Sequence, residues 1–408
     1  MKWFSSLPKS RRNLLIALVA FILLSLVRWA SGENALTSQF TIAVTITAAI
    51  PIAMAGLGAM MSERSGIINL GVEGMMILGT WFAGLFGFHW GAWAALAGGA
   101  IGGAIGGAVH ALATVTFGVD HTISGVALNT LAFGWTRFLS AAYFKGRGAG
   151  SETNSPGFDT GKTIVIPGLG SKGPLAALEK RHWPIVSDFC GVVRGLLAEW
   201  TFYRAVAFLL IPLVAFVLFR TKFGLRLRSS GEKPSAADSL GVAVNKIRYL
   251  AVMLSGALAG VGGAVLVLNN NGGYQESQTA NRGFLGIAAM IFGNWRPAGV
   301  AAGSLLFGFF DSLQLTSVGA VRGLYLAGVV AAIVAGYIAI RRKSQRLLAG
   351  MAVLGAALLT AFLTKFKLDD DIVKGLPYLA TLVVLTIFSR RLRPPAAAGL
   401  PWRKGQTT

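Results

Sequence analysis

Residues 91–117 read GAWAALAGGAIGGAIGGAVHALATVTF. No Asp, Glu, Lys or Arg interrupts them, and an apolar run longer than about 18 residues reads as a transmembrane helix. Gly98, Gly102 and Gly106 recur at every fourth position, and Gly99, Gly103 and Gly107 follow one step behind. Two such stripes of small residues let neighbouring backbones approach closely, which is how helices pack in lipid. Similar blocks at 13–30, 40–60, 67–88, 122–144, 201–219, 247–269, 322–340, 347–364 and 372–389 bring the expected full spans to ten. The fold expected is an all-α polytopic membrane protein.

The composition agrees. Of 408 residues, 54% are hydrophobic and 13% charged, against about 25% charged in soluble chains. The net charge of +21 comes from Lys and Arg at the ends of apolar blocks, so it reads as the positive-inside bias rather than as a nucleic-acid surface. Cys190 is the single cysteine and only four histidines occur. No metal-ligand spacing results, and no resident cofactor is expected. Lys9, Arg11 and Arg12 before the apolar run Leu14 to Val27 fit an uncleaved first span; a secretory leader is the other reading.

Residues 283–315 break the pattern. Phe284 to Trp295 is too short to cross alone, and Arg296-Pro297-Ala298-Gly299 interrupts the apolar run before it resumes to Leu315. A broken or re-entrant hairpin fits, and such elements mark transport paths; two ordinary short helices fit as well. With the N-terminus inside and 283–315 as a hairpin, the inner segments are 1–12, 61–66, 117–121, 220–248, the Arg296 turn, 341–346 and 390–408. These hold 22 of the 37 basic residues and place both termini in the cytoplasm. The domain organisation expected is an N-terminal extension with the first span (1–35), a core (36–319) and an inserted helix pair (320–371), then a last span with a cytoplasmic tail (372–408). The core carries an outer loop (145–200) and an inner segment (221–246).

Several motifs carry candidate chemistry. Gly157 to Thr163 looks like a phosphate-binding loop but has three residues between its glycines where four are needed, so ATP would have to be hydrolysed by a partner. In the inner segment, Ser235 with Asp238 three residues on forms a near capping box. Pro234 stops a helix arriving from upstream, and Gly241 suits a left-handed end. This predicts a short helix between breakers; a solvated loop is the alternative. In Ser62-Glu63-Arg64-Ser65-Gly66-Ile67-Ile68-Asn69-Leu70-Gly71-Val72-Glu73-Gly74, a helix from about Ile67 would put Asn69 and Glu73 on one face. Glu73 would then line a cavity, or contact Arg137 or a backbone amide, because a carboxylate at depth must face protein or water. Asp120 to Thr130, with Asn129, offers polar residues for helix packing or a polar path, as do Asn294-Trp295 and Asp311. The cluster Asp369-Asp370-Asp371 reads as solvated. No catalytic constellation is present, so an enzyme is not expected.

Together these motifs resemble the permease subunits of ABC importers for nucleosides and simple sugars, which are similar to the branched-chain amino acid and ribose permeases. The matching stretches are Gly56 to Met76, Ser124 to Asn129, Thr221 to Gly241, Arg248 to Gly260, Arg282 to Trp295, and Leu376 to Leu382 with Gly399 to Trp402. The resemblance implies a permease working by alternating access in the prokaryotic inner membrane. Its partners would be a cytoplasmic ABC ATPase binding ATP and Mg, a second permease subunit, identical or homologous, and an extracytoplasmic substrate-binding protein. It implies that Gly231, Glu232, Pro234, Ala236, Ala237, Asp238 and Gly241 form the coupling helix. The translocation-path candidates are Asn69, Glu73, Asn129, Asn294 and Trp295. The first span and 320–370 depart from the family pattern. The alternative function is an ion-coupled secondary transporter acting alone, with Glu73 and Asp311 as its carboxylates.

Overall fold

The computed structural model describes residues 9–316, 318–341, 344–364, 366, 375 and 392–403. The long helices are α1 (Lys9–Ser31), α2 (Gln39–Arg64), α3 (Val72–Trp90), α4 (Ala92–Ala111), α5 (His121–Tyr143), α8 (Phe202–Arg220), α11 (Val244–Asn269), α13 (Pro297–Thr316), α14 (Val318–Arg341) and α15 (Gln345–Leu363). The shorter ones are α6 (Pro174–Glu179), α7 (Val186–Leu197), α9 (Lys222–Glu232), α10 (Pro234–Ser239) and α12 (Arg282–Phe292). Among the described residues, sheet structure is confined to the antiparallel pair β1 (Ile164–Val165) and β2 (Glu199–Trp200) and one isolated bridge, Asn154 to Gln275. The chain is therefore all-α, and its apolar helices make it a multi-pass membrane protein. By length and composition, α2, α8, α11 and α4 continued through a wide turn to Thr116 suffice to cross a membrane. The expected span at 372–389 and the cluster Asp369-Asp370-Asp371 lie outside the described residues, Gly375 excepted.

The chain divides into two compact units. The larger comprises Ile46–Thr163, Thr201–Gly308 and Pro377–Thr408. Its centre is the trio α3, α4 and α11, and the two glycine stripes of α4 explain it. Gly98, Gly102 and Gly106 face Phe82, Phe86 and Leu78 of α3. Gly99, Gly103 and Gly107 face Gly260, Gly256 and Val252 of α11. A methyl group on Gly103 would overlap the Gly256 carbonyl oxygen, so only glycine permits this seam.

Within this unit the segments read as inner gather at one end. Gly399 N–H donates to the Gly66 carbonyl at 3.0 Å, and Ala397 N–H to the Gly231 carbonyl at 2.8 Å. At the other end, Ser155 N–H donates to the Tyr274 carbonyl at 3.0 Å, and Tyr274 packs with Trp81 and Phe144.

The smaller unit comprises Met1–Thr45, Ile164–Trp200 and Phe309–Leu376. It thus holds α1, part of the outer segment with α6 and α7, and the pair α14 and α15. Asp188 of α7 is buried and pairs with Arg28 of α1 at 2.7 Å. It also accepts hydrogen bonds from Ser25 Oγ at 2.5 Å and from Thr37. Leu36 and Val27 pack with Phe309, Phe310 and Leu324, and Tyr325 of α14 packs with Leu358 and Phe362 of α15.

Three local expectations need correction. The third span does not begin near Ile67. Residues 65–71 are non-helical, α3 starts at Val72 with Gly71 as its cap, and Glu73 stands in its first turn. Gly66 at φ +99° breaks the path after α2. The Asn69 side chain accepts from Gly71 N–H at 3.1 Å, a turn that competes with helix. Asn69 and Glu73 therefore do not share a helical face. The inner segment holds two helices rather than one: α9 runs from a Thr221 cap, whose hydroxyl accepts from Gly224 N–H at 3.1 Å. Finally, Ser235 is not the cap of α10; Lys233 is, with Pro234 as first helical residue, a place where its missing N–H costs nothing. The breakers act as expected, since α9 ends at Glu232 before Pro234 and Gly241 adopts φ +80°.

Candidate functional site

Two sets of polar residues lie in the larger unit; four of the five path candidates divide between them, and Asn69 stands apart. Glu73 and Asn129 belong to a cleft of about 480 Å³ walled by α3, α5, the connector 277–281 and Phe284 of α12. Glu73 is 4% exposed, and its Oε2 accepts the Gly283 N–H at 2.7 Å. The carboxylate so occupies the N-terminus of α12, where unpaired N–H groups and the helix dipole favour negative charge. Gly283 is required, because a Cβ there would meet the Glu73 carboxylate at 2.6 Å. Of the contacts foreseen for Glu73, the backbone amide is realised; Arg137 instead pairs with Glu276 at 3.1 Å.

Asn129 clamps the start of α3. Its Oδ1 accepts from Gly74 N–H at 2.7 Å, and its Nδ2 donates to the Leu70 carbonyl at 3.0 Å. The first N–H groups of a helix have no partner within it, so α5 supplies one from outside. Asn69 sits away from the cleft, fully buried, with Nδ2 donating to Ser255 Oγ at 3.0 Å and to Met75 Sδ at 3.3 Å.

Asn294 and Trp295 occupy the turn between α12 and α13, both at positive φ (51° and 53°). Eleven residues of α12 rise about 16 Å at 1.5 Å each, half of a bilayer core, whereas the 20 residues of α13 rise about 30 Å. Trp295 Nε1 donates to Glu63 Oε2 at 2.7 Å, and its carbonyl accepts from Arg64 Nη2 at 2.8 Å and Nε at 3.2 Å. Asn294 Oδ1 accepts from Arg393 N–H at 2.8 Å. Arg64 approaches Glu232, at the end of α9, to 4.0 Å. The tail closes the circle: Ala396 N–H donates to Glu232 Oε2 at 3.2 Å, and Trp402 packs on Ala237, Val242 and Val244.

All seven residues implied as coupling elements stand on or beside α9 and α10. Gly231 is buried against the Arg64 carbonyl. Pro234 and Ala237 face inward, whereas Glu232, Ala236 and Gly241 are exposed and Asp238 is half-buried. Leu240, one turn on from Ala236, is 86% exposed. Six residues are too few to hold a helix by its own hydrogen bonds, so the inward face and the tail keep α10 in place.

Other polar residues matter that the sequence reading did not single out as site residues. His110 Nε2 bonds the Ile68 carbonyl at 3.1 Å, and Ile68 N–H donates to His121 Nδ1 at 3.3 Å. The two histidines thereby satisfy the non-helical backbone between α2 and α3. Arg248 is 2% exposed and donates to the Ser230 carbonyl at 3.4 Å. Glu63 and Arg64 read from sequence as charges at a helix end; their partner, Trp295, lies about 230 residues downstream, and no local pattern signals it. Asp311 is half-buried on α13, in the part that belongs to the smaller unit.

Residues 41–323 match the family described as "Branched-chain amino acid transport system / permease component". The guanosine ABC transporter permease protein NupQ of Bacillus subtilis is 31% identical over 371 residues, 89% of this chain and 96% of that protein. The nucleoside ABC transporter permease protein NupC of Lactococcus lactis is 34% identical over 68% of this chain and 83% of its own length. A putative glucose ABC transporter permease protein of Haloferax volcanii is 34% identical over 67% of this chain and 76% of its own. The likeness to the guanosine permease extends beyond 41–323, so part of what flanks the family region is shared with it. No solved structure matches. Family permeases are transport subunits rather than enzymes, and by the extent of both the family match and the guanosine-permease match this chain belongs to the branched-chain amino acid transport system permease family.

Proposed function

We propose that this chain is the membrane-spanning permease subunit of an ATP-binding-cassette importer that carries nucleosides or related small sugars by alternating access. A separate cytoplasmic ATPase, holding ATP and Mg, energises it. A second permease subunit completes the path, and an extracytoplasmic binding protein delivers the solute. The relatives described as nucleoside, guanosine and glucose permeases support the solute class.

The observation that carries the reading is the α9–α10 platform. It presents Ala236 and Leu240 outward and is tied inward, through Glu232, Arg64 and the tail, to the turn at Trp295. Gly231, Glu232, Pro234, Ala236, Ala237, Asp238 and Gly241 form the coupling surface in this proposal. A push on α10 reaches the hairpin turn, and α12 leads from that turn to Glu73. Asn69, Glu73, Asn129, Asn294 and Trp295 are the proposed path and its supports, with Glu73 and Asn129 alone facing the cleft. The gathering of 64–66, 231–232, 294 and 393–402 at one end of the larger unit supports a common cytoplasmic side. It also suits ten spans plus a hairpin with both termini inside, and the division into extension (1–35), core (36–319), inserted pair (320–371) and last span with tail (372–408).

The test is deletion of 232–240, with uptake of labelled nucleoside and membrane insertion measured together. Loss of uptake with normal insertion is expected; normal uptake overturns the docking role. Uptake that survives ATP depletion and collapses with an ionophore would instead establish an ion-coupled secondary transporter.

A further inference from the structure

The importer reading leaves open which class of solute the permease itself recognises, and the cleft beside Glu73 has the chemistry to decide. Asn129 to Phe133 stand about 12–18 Å along α5, a helix of about 33 Å at 1.5 Å per residue, so the cleft lies near its middle. Part of its lining is polar: the Thr130 side chain is exposed, Ser277 lines the cleft, and Asn129 keeps a second amide hydrogen beyond the one given to Leu70. Part is aromatic. Phe133 is 43% exposed and Phe284 41% exposed, and both line the cleft.

On α5, Thr130, Phe133 and Arg137 follow at helical spacing, and Arg137 is 59% exposed and paired with Glu276. That pair ties α5 to the connector that closes the cleft, so the polar contacts continue from the cleft toward the end of α5. The connector that closes the cleft holds Ser277, Ala280 and Asn281 at positive φ (62°, 45° and 63°). Three non-glycine residues in that conformation within five positions are costly, and such strain collects where a ligand is held.

The volume of about 480 Å³ falls within the range of small-molecule sites. Charge narrows the choice. The positive end of α12 is already answered by Glu73, so it offers no free positive charge to an anionic solute. A free sugar can lay a C–H face on one ring but has no flat π face with which to stack. A flat base stacks on such rings whatever its edge pattern, and a ribose brings hydroxyls to Thr130, Ser277 and Asn129. We propose that this cleft is a nucleoside-binding station within the permease, with Phe133 and Phe284 as the surface for the base and the Thr130–Asn129–Ser277 side for the ribose. The proposal rests on the importer reading.

The experiment uses cells expressing the full chain with its partner subunits and labelled guanosine. Guanosine uptake competed by other nucleosides, but not by ribose or guanosine monophosphate, is expected. Phe133→Leu and Phe284→Leu should each raise KM about tenfold, the loss of one base–aromatic stack. Phe284→Tyr, which keeps the stack, should raise KM less than Phe284→Leu does. Because a binding protein shares in KM, a second readout addresses the permease directly. Maleimide labelling of Thr130→Cys, in a Cys190→Ala background, should slow on addition of guanosine and not of ribose. Unchanged KM with no protection of position 130 overturns the station while leaving the importer intact. ATP-driven uptake of sugars and not nucleosides does the same. Absence of ATP-driven uptake of either solute overturns the importer reading itself, and the station with it.

Discussion

In the larger unit α4 and α11 meet backbone to backbone, with Gly99, Gly103, Gly256 and Gly260 leaving no room for a side chain between them. In the smaller unit α1 meets α7 through charge: Arg28 and Asp188, 3% and 1% exposed, pair at 2.7 Å inside a net of hydroxyls. The first contact gains from dispersion over a long seam and from helices that can approach because nothing protrudes. The second gains little net energy, since burying two charges costs nearly what their attraction returns. What the ion pair supplies is dependence, for neither partner tolerates loss of the other. The glycine seam should therefore fail when something is added, and the ion pair when something is removed.

The largest effect expected is from adding bulk to the seam. Gly103→Leu would drive a side chain into the Gly256 carbonyl and should cost more than about 3 kcal/mol, the upper range for overpacking. Thermal unfolding of the detergent-solubilised protein would show it. Gly134→Ala is the matched control, because a Cβ there meets nothing within 4 Å. If both variants unfold alike, the seam is not what holds the trio together.

Removing charge from the smaller unit comes next. Asp188→Ala leaves Arg28 buried and unpaired, which costs about 3–5 kcal/mol. The double variant Arg28→Met/Asp188→Leu should recover most of the loss, since an apolar pair of similar volume replaces a buried ion pair at little cost. Hydrogen exchange should report the damage in α1 and α7 first. A double variant no better than the single one would mean that the hydroxyls of Ser25 and Thr37, and not the pair, set the contact.

The same contrast explains what was legible. Glycine stripes are periodic and local, so residues 98–107 announce both faces of α4 by their spacing alone. Apolar blocks and the breakers Pro234 and Gly241 are equally local. The start of α3 was hidden because Ile67, Ile68 and Leu70 extend the apolar run through a segment that is not helical. Only Gly66 and Asn69 hint at the break, and the histidines that satisfy Ile68 lie 42 and 53 residues away. Polar contacts such as Arg28 to Asp188 and Trp295 to Glu63 join residues 160 and 232 positions apart. A side chain that will cap a distant helix carries no mark of it in its neighbours. Glu73 and Asn129 were therefore recognisable as polar residues at depth, while the α12 N-terminus that Glu73 serves and the α3 start that Asn129 serves were not.

The smallest effect expected sits between these extremes, at a contact both local and charged. Asp120 caps α5, accepting from Ile123 N–H at 3.0 Å and Thr122 N–H at 2.9 Å on an exposed turn. The hydrogen bond from Ile123, then that from Thr122, holds its carboxyl below the ordinary aspartate value of 3.8. A carboxylate with a lowered folded value adds stability above the unfolded value and loses it as pH falls through the folded one. Asn caps a helix as well as Asp but does not titrate. The advantage of wild type over Asp120→Asn should therefore be small, constant from about pH 5 upward, and gone well below 3.8. Exposure and salt screening keep it small. Unfolding of both proteins across that range measures it. An advantage that persists at the lowest pH would assign the cap's worth to hydrogen-bond geometry alone, and make Asp120 a contact of the glycine kind, indifferent to charge.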